Sequence, residues 1–154
     1  CFSRWNRYFY GNNNNMKILI AYKTKLGGSR EYAEWLAEAL GTTPKTFDNI
    51  TKEELEGSDA CVVISGTYAG FMPLNRFLKK NWKVLKNKKV AAVALGGIGP
   101  EHRWSRFSYR RIPVRIREKI KYWKITGKGD EKKPIEWGEL KKENLDPVIS
   151  YLRE

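Results

Sequence analysis

Three short runs of this chain are almost wholly apolar: 17–22 (KILIAY), 60–65 (ACVVIS) and 90–95 (VAAVAL). Each empties into a loop that carries glycines, KTKLGGS, SGTYAGF and GGIGPE in turn. A strand covered on one face alternates apolar and polar residues, whereas a strand covered on both faces does not. The runs therefore predict buried strands. Helical apolar spacing comes after the first two, and strands alternating with helices fold as a parallel sheet with helices on both faces. In such a sheet the carboxyl ends of the strands share one edge, and ligands bind in the crevice where the strand order reverses. The three glycine loops are expected to meet at that rim.

The first loop, Thr24-Lys25-Leu26-Gly27-Gly28-Ser29, opens a helix whose Tyr32, Ala33, Leu36, Ala37 and Leu40 recur at helical spacing, with Gly41 placed to stop it. The first turn of a helix leaves backbone N–H groups unpaired, and its dipole adds partial positive charge there. Gly27 and Gly28 let the backbone approach a phosphate with no Cβ in the way, and Thr24 and Ser29 offer hydroxyl donors. The same residues also suit an ordinary strand-to-helix turn with Ser29 as N-cap. This stretch alone leaves both readings open.

A short strand is expected at 44–47, and Thr51-Lys52-Glu53-Glu54 has the pattern of a capping box opening a short helix that Gly57 stops. Pro73 starts a helix with Leu74, Phe77, Leu78, Trp82 and Leu85 on one face and Lys79, Lys80, Lys83 and Lys86 on the other. In the segment 101–124 (EHRWSRFSYRRIPVRIREKIKYWK), the spacing of Ile112, Ile116, Ile120 and Trp123 predicts a loop followed by an amphipathic helix. A fifth strand is expected near 122–126, then a polar turn over 127–133, Ile135-Glu136-Trp137, and a last helix with Leu140, Leu145, Val148, Ile149 and Leu152. Residues 1–15 (CFSRWNRYFYGNNNN) end in an asparagine run poor at either helix or strand, directly before Met16. They are expected to be an extension outside the fold, with 16–154 forming one domain.

The net charge is +13, and it is concentrated: residues 76–124 hold 16 Lys and Arg against Glu101 and Glu118 alone. A one-sided positive field favours acidic partners, anionic lipid or nucleic acid, although a charge-rich solvated surface has the same composition. No apolar run approaches the roughly 20 residues of a membrane helix. Cys1 and Cys61 give neither metal spacing nor a disulfide framework, and His102 has no second ligand at a chelating distance in sequence. A reducing cytoplasm is the expected setting, with peripheral membrane contact as an addition to it.

The loop Lys23-Thr24-Lys25-Leu26-Gly27-Gly28-Ser29 after a strand, followed by Arg30-Glu31-Tyr32-Ala33, resembles the phosphate loop of flavodoxin-like proteins. Phe77-Leu78-Lys79-Lys80 and Pro134-Ile135-Glu136-Trp137 extend the resemblance toward the menaquinone-dependent protoporphyrinogen oxidase branch. The resemblance implies a flavodoxin-like three-layer sandwich, a five-stranded parallel sheet of order 2-1-3-4-5, and non-covalent FMN. It implies that Thr24, Lys25, Leu26, Gly27, Gly28 and Ser29 wrap the phosphate. Gly66, Thr67, Tyr68, Ala69 and Gly70 would border the isoalloxazine, and Gly96, Gly97, Ile98 and Gly99 its pyrimidine edge. The chain departs from the family in three ways: Lys23 stands where Ser or Thr is usual, no long insertion is present, and the balance of charge is basic where the small electron carriers are acidic.

The leading expectation is an FMN-binding redox protein, an electron carrier or an FMN-dependent oxidoreductase, with quinone or an acidic redox partner. The flavin would do the chemistry, because no side chain stands out as acid, base or nucleophile. A positive surround stabilises the reduced flavin anion, so its couple is expected to be less negative than in an acidic carrier. The competing expectation is a flavin-free module. Its segment 103–124 interleaves Arg and Lys with Trp104, Phe107, Tyr109, Tyr122 and Trp123, a mixture suited to stacking on bases or anchoring at an anionic membrane surface.

Overall fold

The computed structural model describes residues 16–68 and 70–154. Five strands form one sheet: β1 (Ile18–Lys23), β2 (Pro44–Thr46), β3 (Ala60–Gly66), β4 (Lys89–Gly96) and β5 (Lys121–Thr126). Every neighbouring pair is parallel and the order is β2-β1-β3-β4-β5. The chain thus reverses direction across the sheet between β1 and β3, which places the loops after these two strands on either side of one crevice. The extension expected over residues 1–15 lies outside the described residues.

The apolar runs are explained by the layers that cover them. Ile20, Val62, Ile64, Val93 and Leu95 point to one face, where α1 (Gly28–Leu40) and the C-terminal α6 (Asp146–Leu152) bury them with Leu36, Leu145, Val148 and Ile149. Ala21, Cys61, Val63, Ala92 and Ala94 point to the other, against α2 (Lys52–Glu56), α3 (Pro73–Leu85) and α5 (Val114–Arg117). Alternate residues of one strand serve two cores, so neither parity is free to be polar.

Caps fix the helices in register. Thr51 caps α2, its Oγ1 accepting from the Glu54 N–H at 3.2 Å, as its capping pattern predicts. The Tyr32 hydroxyl, fully buried on α1, accepts from Asn144 Nδ2 at 2.7 Å and ties α1 to the C-terminal segment.

The segment 101–124 differs from expectation. A helix, α4 (Arg103–Arg110), occupies the first half, where the sequence predicts a loop, and α5 is only four residues long. Two facts account for it. Pro113 interrupts any helix that would link Ile112 to Ile116. The inward face of α4 is made of Ser105 and Ser108, both buried, while Trp104 and Phe107 point out at 52% and 49% exposure. An apolar-periodicity reading therefore assigns α4 no helix at all. Ile112 and Ile116 are fully buried as read, but Trp123 lies on β5 and packs on the opposite face of the sheet, against Tyr151.

Candidate functional site

The loops after β1, β3 and β4 meet at the carboxyl rim and line a single cleft of about 490 Å³. At one end stands the start of α1. Gly27 is its N-cap at φ 98°, a left-handed conformation that suits glycine and no β-carbon residue without strain. Thr24 Oγ1 accepts from the Gly27 N–H at 2.8 Å, which closes the loop and leaves the Thr24 hydroxyl proton to be donated elsewhere. The N–H groups of Gly28, Ser29 and Arg30 belong to the first helical turn and have no carbonyl to reach within it. Ser29 does not cap the helix; it is buried inside the first turn and lines the cleft.

The cleft needs its glycines for close approach. A Cβ on Gly28 would stand 3.1 Å from the Lys128 backbone nitrogen and 3.2 Å from Leu95 Cδ2. A Cβ on Gly66 would stand 2.7 Å from the Tyr68 hydroxyl, because that ring folds back over the end of β3. Tyr68 is a half-buried aromatic surface inside the cleft, with the Lys25 ammonium 5.4 Å from its centroid, and burial raises its phenol pKa.

Where the second and third loops meet, a cation is packed between them. Lys124, on β5, donates from Nζ to Thr67 Oγ1 at 3.2 Å, and its Cε and Nζ occupy the space beside Gly96 that a Cβ would need. Burial pulls its pKa down from 10.5 to about 8. No carboxylate among the described residues pairs with it.

A fourth loop closes the cleft. After β5 the chain turns at Gly127, whose N–H donates to the Gly96 carbonyl at 2.9 Å, and Glu136 N–H donates to the Gly97 carbonyl at 2.9 Å. These bonds lay residues 127–136 along the third loop, so that Lys128, Gly129, Asp130, Lys133 and Ile135 complete the wall. The Asp130 carboxylate accepts from the N–H groups of Lys132 and Lys133 and holds the turn. From the sequence, 127–133 reads as a polar turn only. The signal is nonetheless present, since Gly127-Lys128-Gly129-Asp130 succeeds the fifth strand just as the other glycine loops succeed theirs.

Of the residues expected at the site, Thr24, Lys25, Leu26, Gly28, Ser29, Gly66, Thr67, Tyr68, Gly96, Gly97 and Ile98 line the cleft, and Gly27 shapes it through the backbone. Gly70, at φ 84°, lies against the Phe107 ring instead, and Gly99 lies beside Glu101 and Trp137. Ala69 is outside the described residues. No group of His, Cys, Asp and Glu among the described residues could hold a metal ion. Cys61 is fully buried in β3, where desolvation pushes its thiol up to about 12. No described helix is long and apolar enough to cross a membrane.

A family model described as flavodoxin domain matches residues 19–128. No curated sequence matches the chain. Among solved structures, oxidised flavodoxin 2 from Bacillus cereus is similar at 20% identity, with a TM-score of 0.62 over 89% of this chain and 97% of that one. A flavodoxin from Streptococcus pneumoniae TIGR4 is similar at 15% identity, TM-score 0.55, over 89% of this chain and 95% of that one. A flavodoxin from the domain Archaea is similar at 20% identity, TM-score 0.52, over 76% and 87% respectively. All three share the fold.

Proposed function

We propose, for a chain that belongs to the flavodoxin domain family, that the rim cleft binds FMN non-covalently and that the protein works as a quinone-linked oxidoreductase. The observation that carries the reading is the pairing of an anion cradle with the aromatic ring of Tyr68 in one cleft. The left-handed Gly27, the hydroxyls of Thr24 and Ser29 and the free first-turn N–H groups of α1 form the cradle. Beside it, Gly66, Thr67, Tyr68, Gly96 and Gly97 line the rest of the cleft.

The residues present fit the group. Thr24, Ser29 and the backbone of Gly27 and Gly28 would hold its phosphate, with Lys25 and Lys128 nearby to balance the charge. Tyr68 would lie along the flat ring system, and the loop 96–98 would border its polar edge. When bound, FMN supplies transfer of one or two electrons. The chain's own contribution would be to exclude water along the wall 127–136 and to hold the Lys124 ammonium beside Thr67 and Gly96, where a positive charge would favour a reduced, anionic ring.

Apoprotein titrated with FMN and with riboflavin tests the phosphate cradle. FMN is expected to bind at least about a hundredfold more tightly, a gap of about 2.7 kcal/mol that several charge-assisted hydrogen bonds supply. Equal affinity would remove the cradle from the account. The quinone link is supported by the resemblance of Phe77-Leu78-Lys79-Lys80 and Pro134-Ile135-Glu136-Trp137 to the protoporphyrinogen oxidase branch and by the basic surface. Anaerobically reduced protein mixed with menadione is expected to reoxidise with a rate that saturates in quinone. A rate no faster than that of free reduced FMN would contradict the link.

A second feature accords with a membrane-soluble acceptor. Trp104 and Phe107 stand exposed on α4 in edge-to-face contact, flanked by Arg103, Arg106 and Arg110, and Val114 is exposed at the start of α5. Apolar rings beside guanidinium groups suit peripheral contact with an anionic bilayer. Co-sedimentation with phosphatidylglycerol vesicles but not phosphatidylcholine vesicles is expected, and its loss in Trp104→Ser/Phe107→Ser. Equal sedimentation with both lipids, or none with either, would refute it.

A further inference from the structure

A second cleft, of about 310 Å³, is lined by Lys124, whose ammonium reaches Thr67 of the second glycine loop, and by Pro100 of the third. Its floor is β5, where Tyr122 meets Tyr109 of α4 edge-to-face at 4.7 Å. Arg106 and Arg110 on α4 and Arg117 on α5 rise around it. No carboxylate lines the cleft, and none among the described residues forms an ion pair with these three arginines. The Arg117 guanidinium lies 5.6 Å from the Tyr109 ring centroid, which holds it over the floor.

Ser105 also lines this cleft. It is 4% exposed, and its Oγ is buried with no hydrogen-bond partner. Ser108, on the same inward face of α4, instead donates to the Trp104 carbonyl at 3.0 Å. An unpaired hydroxyl away from water costs free energy unless something brings it a partner. Three guanidinium groups border the same cleft with no carboxylate in its lining. Both features suit one kind of ligand. A carboxylate accepts bidentate bonds from guanidinium forks and a further bond from a hydroxyl. The tyrosine pair below offers an aromatic surface that a small inorganic anion would leave uncovered. The volume is at the low end of small-molecule sites, room for one or two fused rings.

We propose that this second cleft binds an aromatic carboxylic acid, its carboxylate held by Arg106, Arg110, Arg117 and Ser105 and its ring packed against Tyr109 and Tyr122. The site is built by α4, α5 and β5 and stands whether or not the rim cleft holds flavin. With flavin present, the acid would lie one side chain, Lys124, from the loops that border the ring.

Calorimetric titration of the full chain with 2-naphthoate, with its neutral counterpart 2-naphthalenemethanol and with inorganic phosphate tests the proposal. Saturable binding of one naphthoate is expected, at least about tenfold tighter than the neutral analogue and not displaced by equimolar phosphate. Arg110→Gln/Arg117→Gln should weaken it by about tenfold or more, whereas Arg115→Gln, outside the cleft, should leave it unchanged. Ser105→Ala removes an unpaired buried hydroxyl and so spares the fold, yet it should weaken naphthoate binding by about threefold to tenfold. No saturation, equal affinity for the neutral analogue, displacement by equimolar phosphate, or indifference to Ser105→Ala would each overturn the proposal.

Discussion

Lys124 is the residue in which fold and chemistry conflict. Its ammonium is buried against Thr67 and Gly96, and the folded chain gives up its proton near pH 8, where an unfolded lysine holds it to about 10.5. Between those values the unfolded chain binds the extra proton, so stability rises with pH across that window. The rise is at most about 3 kcal/mol. Urea denaturation of the apoprotein at pH 7.5 and 10 should show it, and Lys124→Met should abolish it and raise stability at pH 7.5; a flat pH profile in the parent chain would contradict the burial. Gly27 is constrained differently. At φ 98° any other residue is strained, so Gly27→Ala should cost about 1–2 kcal/mol in the same measurement and weaken FMN binding with it.

At the scale of elements, the cleft is made by the loops that leave the strands. The wall 127–136 depends on Gly129, where a Cβ would stand 2.9 Å from the Lys133 carbonyl and 3.0 Å from the Ile135 nitrogen. Both contacts are backbone, so Gly129→Ala must spread the turn. A loss of about tenfold in FMN affinity is expected, corresponding to about 1.4 kcal/mol, with little change in melting temperature because the turn lies outside both cores. Unchanged affinity would mean that the wall does not touch the ligand. The strands and α1 are legible in the sequence because burial on both faces leaves an unbroken apolar run, and a helix packed on one face leaves a stripe. The fourth loop is legible by the same rule but reads as a plain polar turn beside three apolar runs, since β5 is an edge strand and keeps Lys121 and Lys124. α4 is not legible. Its inward face is two serines and its outward face two aromatics, the reverse of the pattern from which helices are read. The second cleft stays hidden with it, because the arginines around it look like one more stretch of basic surface until α4 and α5 are placed over β5.

Over the whole molecule, most of the positive charge lies in residues 76–124, and a smaller share borders the rim. Lys25, Lys128 and Lys133 line the rim cleft against Asp130 and Glu136, and Lys124 lies behind it. Positive potential favours the anionic reduced flavin over the neutral oxidised one. Potentiometry on the FMN-loaded protein should give a couple to the fully reduced state less negative than that of an acidic flavodoxin, moved to more negative values by Lys124→Met; a very low couple insensitive to that change would contradict it. The expectations for FMN affinity and for potential depend on flavin occupying the rim. The visible absorption spectrum of the purified chain, before and after addition of FMN and desalting, tests that most directly. The account predicts one FMN retained per chain, with a flavin spectrum shifted from that of the free cofactor and the yellow colour released on heating. A chain that stays colourless after desalting would contradict it.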